Sequence, residues 1–264
     1  MTIVASVKVH DGIAMGADSM TQIWGTNAEG QNGLIKAYDH AQKLFPIAGS
    51  PVAVMTYGIG NIGPRSIGSF IVEFARGLGK PPQVQVKEIA DGLFTLFQKA
   101  HEAAFGQLEA AQRPALGVLL GGYSTGQPWA EEWEFILPTS GSPQPVRPRE
   151  VFGAAWRGVA VPFNRTFFGF DPRLAQDLSQ AGLQQDAIMT LSQKYATPVV
   201  FDGMPVQEAI DFVGFILQTT INSARFEVGA ASCGGPLWIG IITPDEGFKW
   251  IERHEFQHAV GFHR

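Results

Sequence analysis

The sequence predicts an α+β fold, a four-layer αββα sandwich of two antiparallel sheets flanked by helices. Three observations predict it. Strand-like segments open the chain, two helical segments follow, strands return, then one long helix, then strands again; a parallel sheet would alternate strand and helix throughout. The spacing of apolar residues changes from strand-like to helical near residue 67. Short turns rich in Asp and Gly, at 10–12 and 244–247, join neighbouring strands as antiparallel hairpins do.

Residues 2–9 (TIVASVKV) are β-rich and partly alternating, His10-Asp11-Gly12 turns the chain, and 13–18 (IAMGAD) returns it. The polar stretch 21–42 contains Gly and Asn without clear periodicity and reads as a loop or a loop with a short extension. Residues 43–47 (KLFPI) and 52–57 (VAVMTY) form two more strands around Gly49-Ser50-Pro51. Ile67, Phe70, Ile71, Phe74 and Leu78 then fall at helical spacing, closed by Gly77 and Gly79. A second amphipathic run, 86–105, repeats the pattern with Ile89, Leu93, Leu96 and Phe97. Strands follow at 115–123 and 133–137, and 138–148 is a Pro/Ser/Gly loop. The segment 159–200 is read as an insertion with one helix at about 174–194. Val206, Ala209, Ile210, Val213, Ile216, Leu217 and Ile221 mark a helix from 205 to about 225, with Pro205 suited to its start. A last hairpin joins 237–243 to 248–251. With no internal repeat and no linker, 1–264 reads as a single domain.

Charge is scarce: 16% of residues are charged, where about 25% is usual. Nineteen Lys and Arg stand against 24 Asp and Glu, a net charge of −5 with no basic stripe. That balance argues against a nucleic-acid partner, and the 45% apolar content argues against disorder. A surface so poor in charge means either that the domain buries unusually much of itself or that part of its surface faces other subunits. One cysteine, Cys233, excludes an internal disulfide framework and a multi-cysteine zinc site. No apolar run reaches the ~18 residues of a membrane span, and the N-terminus lacks a signal-peptide pattern. The expected setting is cytoplasmic, reducing and away from membranes.

Chemistry enters at the N-terminus. Met1 precedes the small residue Thr2. A chain that lost Met1 would begin with a threonine carrying both a hydroxyl nucleophile and, in its own α-amine, a base titrating near pH ~8. Asp18 ends the second strand in GADS, Lys43 begins KLFPI, and Gly58 ends VAVMTYG. This order resembles the proteasome β-subunit family of N-terminal-nucleophile threonine proteases. Its members open on a Thr-Thr or Thr-Ile strand, end the next on Ala-Ala-Asp or Gly-Ala-Asp, and start another with lysine in a KLF-like run. Residues 113–123 (RPALGVLLGGY) resemble the family's central strand, 204–224 its long helix, 232–243 (SCGGPLWIGIIT) its SGG turn and strand, and FKWIE its last strand.

The resemblance implies a threonine-type endopeptidase acting on peptides or unfolded proteins, in a ring of like subunits, with no cofactor and no metal. It implies Thr2 as nucleophile, Lys43 lowering the pKa of its hydroxyl, Asp18 holding Lys43, and the Gly58 N–H donating to the oxyanion. The absence of an extension before the first strand favours the catalytic over the non-catalytic subunit type. The chain departs from the family's pattern in two places. Ala230 and Cys233 stand where the family has an Asp and the Ser of SGG, and residues 153–158 (GAAWRG) replace its GSGS segment. An inactive, structural member is the alternative those departures allow. Cys233 itself reads as a buried small residue.

His254-Glu255-Phe256-Gln257-His258 matches H-E-x-x-H, which would make a zinc peptidase. His263 lies two rather than three residues after Gly261, and little chain is left for a supporting helix. A solvent-exposed His-rich tail is the better reading. His10, His40 and His101 lack paired acids at useful sequence spacing, and GIGNIG (58–63) has neither the lysine nor the setting of a phosphate loop.

Overall fold

The structure is a computed structural model and describes residues 2–26, 30–79, 83–197, 199–200 and 202–255. The chain begins with the hairpin β1 (Ile3–Val9) and β2 (Gly12–Ala17), followed by a ribbon of β3 (Thr21–Thr26) and β4 (Asn32–Tyr38). Next come β5 (Leu44–Pro46), β6 (Val52–Gly58), the short pair β7 (Asn61–Ile62) and β8 (Arg65–Ser66), and the helices α1 (Ile67–Leu78) and α2 (Val86–Phe105). β9 (Leu116–Gly122), β10 (Glu131–Leu137), β11 (Gln144–Pro145) and β12 (Gly153–Gly158) precede four helices. These are α3 (Val161–Phe168), α4 (Pro172–Gln180), α5 (Gln185–Tyr195) and α6 (Val206–Arg225); the hairpin β13 (Trp238–Thr243) and β14 (Gly247–Glu252) comes last.

Two five-stranded antiparallel sheets result, one in the order β12-β1-β2-β13-β14 and the other β11-β10-β9-β6-β5. Three apolar layers stack them. Ile3, Ala5, Val7 and Val9 of β1 point one way, to α3 and α6, packing with Phe163, Val213, Ile216 and Leu217. Val4, Ile13, Met15 and Ala17 point the other way and meet Met55 and Leu119 between the sheets. On the far side Leu116, Val118 and Leu120 of β9 pack on Phe70, Ile71, Leu93 and Phe97 of α1 and α2. This is the four-layer sandwich expected from the order of elements. Each strand in the middle is apolar on both faces because each face is covered.

Two glycines allow the layers to close. A Cβ on Gly16 would lie 2.7 Å from Val213 Cγ1, so α6 can settle onto β2. A Cβ on Gly121 would lie 2.7 Å from Ile13 Cδ1, at the contact between sheets. The inter-sheet layer turns polar at β1 and β10. Ser6 donates to Glu132 at 2.5 Å, the fully buried Lys8 donates to the Arg149 carbonyl at 2.6 Å, and Arg147 pairs with Glu132 at 2.6 Å.

Two local expectations change, and 153–158, assigned no element from sequence, gains one. The stretch 21–42 forms the ribbon β3–β4 rather than a loop, with Ile23, Trp24, Ile35 and Tyr38 left exposed. β3 mixes polar and apolar residues on both faces, and the pairing slips between Ile23 and Trp24, so alternation is weak. The segment 159–200 holds three helices instead of one; Asp171 caps α4 by accepting from the Arg173 N–H at 3.0 Å, and Pro172 fits its first turn. Residues 153–158 are a strand because they pair with β1, Ile3 opposite Gly158 through Lys8 opposite Gly153.

Candidate active site at the start of the first strand

Thr2 is buried and lies one residue before β1. Its carbonyl accepts from the Val159 N–H at 2.8 Å. Gly158 presses against the same carbonyl: it has φ +91°, and a Cβ there would sit 1.8 Å from Thr2 O. Only glycine adopts that backbone and leaves that room.

Asp18 follows β2, and the hairpin register brings it back beside the start of β1: its N–H donates to the Ile3 carbonyl at 3.1 Å. Its side chain is fully buried. Oδ1 accepts from the Ile3 N–H at 3.1 Å and from Lys43 Nζ at 2.7 Å, and Oδ2 accepts from the Gly234 N–H at 3.0 Å. Lys43 comes from the other sheet, just before β5, where its carbonyl accepts from the Thr56 N–H at 3.0 Å. Its ammonium also donates to the Met20 carbonyl. Burial pulls the Lys43 ammonium below its ordinary range and pushes the Asp18 carboxyl above its own, and in each the partner's charge opposes the shift. The two side chains meet at 2.7 Å, with little water, against the peptide bond that follows Thr2.

Gly58 ends β6 with φ +95°, where a Cβ would lie 2.2 Å from the Ala115 carbonyl oxygen, and it is exposed. Cys233 is buried next to Gly234, and burial followed by the Asp18 charge pushes its thiol up to about 12. It stays protonated at neutral pH and is a packing group rather than a nucleophile.

Three contributors were not singled out from sequence. They are Gly234, which anchors Asp18 from across the chain and whose carbonyl accepts from the Ser19 and Met20 N–H groups, the Met20 carbonyl, and Gly158. The glycine pair in SCGG was the available signal for the first.

The H-E-x-x-H segment is less favourable to metal. His254 Nε2 lies 2.9 Å from the Leu237 carbonyl; a carbonyl only accepts, so that nitrogen carries the proton and has no lone pair for a cation. Phe256, Gln257, His258, Gly261 and His263 lie outside the described residues. Among the described residues no cluster of three or more His, Cys, Asp or Glu is placed to hold a metal ion. His10, read as lacking an acid, pairs with Asp202 across the fold, and His101 Nε2 lies 2.8 Å from the Pro114 carbonyl. No helix of the described residues is long and apolar enough to cross a membrane.

No protein-family model matches the chain, and no curated protein does. Solved structures do. Anbu (ancestral beta-subunit) from Yersinia bercovieri matches with TM-score 0.50 and 15% identity over 94% of this chain and 86% of that one. An Anbu mutant from Hyphomicrobium sp. strain MC1 matches with TM-score 0.55 and 14% identity over 96% and 87%. The likeness is one of fold. It corrects the relationship drawn from sequence: the chain is similar to Anbu structures, and nothing places it in the proteasome β-subunit family itself. Anbu and this chain share the α+β sandwich, and at such identity no residue's role passes from one to the other.

Proposed function

We propose that the chain is an N-terminal-nucleophile hydrolase of threonine type that cleaves amide bonds in peptides or unfolded proteins. The observation that carries this reading is the Asp18 carboxylate, fully buried and bridging the Lys43 ammonium to the N–H of Ile3, the residue after Thr2. A buried ion pair is expensive to desolvate and adds little stability over an apolar pair. Its place against the peptide bond that follows Thr2 gives it a chemical use in this reading.

In the proposed reaction, removal of Met1 frees the Thr2 amine. The Thr2 hydroxyl oxygen bonds to the substrate carbonyl carbon and its proton passes to that amine. The carbonyl oxygen becomes an oxyanion facing the Gly58 N–H, a donor of a kind worth about 10²–10³ in rate. Collapse breaks the C–N bond as the Thr2 ammonium returns the proton to the leaving amine, and water, deprotonated by the freed Thr2 amine, then hydrolyses the ester on Thr2. Lys43 lowers the hydroxyl pKa by its charge, and Asp18 with Gly234 holds Lys43 in place.

Intact-mass measurement tests the first requirement: the proposal expects a protein lacking Met1, and Met1 retained on every chain would sink it. An electrophile directed at N-terminal threonine is then expected to add to the wild type and not to Thr2→Ala. Ala230 and Cys233, at positions where a second carboxylate and hydroxyl were expected, favour the inactive alternative. That alternative is the outcome if Met1 is removed and no adduct forms.

We further propose assembly with copies of the same chain, in a ring of like subunits. Only 16% of residues are charged, and Ile23, Trp24, Ile35 and Tyr38 on the ribbon and Phe226 and Val228 after α6 remain exposed. Light scattering is expected to give a mass several times 28.6 kDa; a monodisperse monomer would refute assembly.

A further inference from the structure

Gly58 and Gly158 of the proposed site are each preceded by a side chain aimed at the same carboxylate. Tyr57 precedes Gly58 and donates its hydroxyl to Glu134 Oε1 at 2.6 Å. Arg157 precedes Gly158 and grips Glu134 with two bonds, Nε to Oε1 at 2.7 Å and Nη2 to Oε2 at 2.8 Å. Its third nitrogen, Nη1, donates to the Trp156 carbonyl at 2.9 Å. Glu134 and Tyr57 belong to one sheet, through β10 and β6, and Arg157 to the other, through β12. The triad thus spans the two sheets.

Each partner is fixed in its own place. The Tyr57 ring lies where a side chain on Gly117 would be, 2.0 Å from the position of its Cβ. Burial first and Glu134 second push the Tyr57 hydroxyl well above the ordinary phenol range, so it stays a donor. Fork-to-fork pairing of guanidinium and carboxylate sets both distance and angle, which a single bond would not.

Beyond the triad, Gly158 and the Val159 N–H hold the Thr2 carbonyl, and Gly58 carries the N–H proposed to meet the oxyanion. We propose that Arg157, Glu134 and Tyr57 are positioning residues that set the separation between Thr2 and Gly58 across the sheets. The inference rests on the hydrolase reading above. None of the three touches the reacting atoms. Their effect is on geometry, to which turnover is more sensitive than ground-state binding.

The test compares Glu134→Gln and Tyr57→Phe with wild type, on peptidyl aminomethylcoumarin amides and in the rate of Thr2 adduct formation. Glu134→Gln is expected to lower kcat about 10- to 100-fold, within the range that a displacement of ~1 Å produces, with KM changed less than about twofold. Tyr57→Phe removes a hydroxyl and leaves the ring over Gly117. It is expected to lower kcat by a smaller factor, in the same direction, at an unchanged thermal midpoint. Wild-type kcat in both variants overturns the inference. So does a loss that tracks only the unfolded fraction and vanishes on cooling. A wild-type protein with no turnover and no Thr2 adduct overturns the hydrolase reading and this inference with it; a reactive wild type with unaffected variants overturns this inference alone.

Discussion

Lys43→Met will lower stability by about 3–5 kcal/mol at neutral pH, the usual consequence of removing one member of a buried ion pair, and will end adduct formation at Thr2. The size follows from what is left behind. The Asp18 side chain is fully buried, and without the ammonium the N–H groups of Ile3 and Gly234 are the hydrogen bonds its charge keeps. Burial already pushes this carboxyl up, and loss of the opposing Lys43 charge pushes it further. The sign of the pH effect follows. A carboxyl whose folded pKa is raised stabilises the fold fully below its unfolded value, and that contribution is lost as pH rises through the folded one. The deficit of Lys43→Met against wild type will therefore be largest near neutrality and shrink on acidification. Adding Asp18→Asn will recover part of the loss, because an amide is cheaper to bury than an unpaired carboxylate. Urea unfolding of the three proteins at pH 7 and pH 5 measures all of this. Equal stability of Lys43→Met and wild type at pH 7 would show that the pair is solvated and that the buried-charge account is wrong.

Gly158→Ala will cost about 2 kcal/mol or more and reduce turnover about 100-fold. Forcing an L side chain to φ +91° costs about 1–3 kcal/mol by itself. The added Cβ would also stand 1.8 Å from the Thr2 carbonyl oxygen and 2.9 Å from its carbon, and backbone atoms cannot rotate aside as a side-chain tip can. Either β12 moves away from β1 or Thr2 moves, and a shift of ~1 Å in a reacting group is worth about 10² in rate. Gly182→Ala is the control, because Gly182 has φ +94° with nothing within 4 Å of the added atom. That variant carries the strain without the collision and should keep wild-type turnover. If Gly158→Ala loses no more activity than Gly182→Ala, Gly158 does not position Thr2.

Much of the frame was legible from periodicity. The hairpin β1–β2, the helices α1, α2 and α6, and the last hairpin each have apolar residues on faces that pack against a neighbouring layer, so spacing and burial say the same thing. The segments misread or left unassigned are those whose partners are weak or distant in sequence. β12 consists of Gly, Ala, Trp and Arg and has no strand signature; it is a strand because β1 offers it hydrogen bonds. The ribbon β3–β4 bonds chiefly to itself and leaves Ile23 and Trp24 outside, so no alternating face marks it. The helices of 161–195 are short and end at caps and glycines such as Gly169, with φ +77°, and their spacing blurs into one longer pattern.

The sequence by itself determined the order of elements and their α+β class, and a resemblance in motif order singled out a threonine, an acid, a lysine and a strand-ending glycine as candidates. The order and class are local properties, carried by period and turn chemistry. Only the tertiary structure decided which groups meet. It brings Gly234 to Asp18 across 216 positions, sets Lys43 from one sheet against Asp18 from the other, and joins Tyr57 and Arg157 through Glu134. It also pairs His10 with Asp202 and commits His254 to a backbone carbonyl. The physical reason is that such contacts depend on register and on the stacking of two sheets. Register is set by the sum of many small packing choices along each strand, and a slip of one residue would turn every one of these side chains to the opposite face.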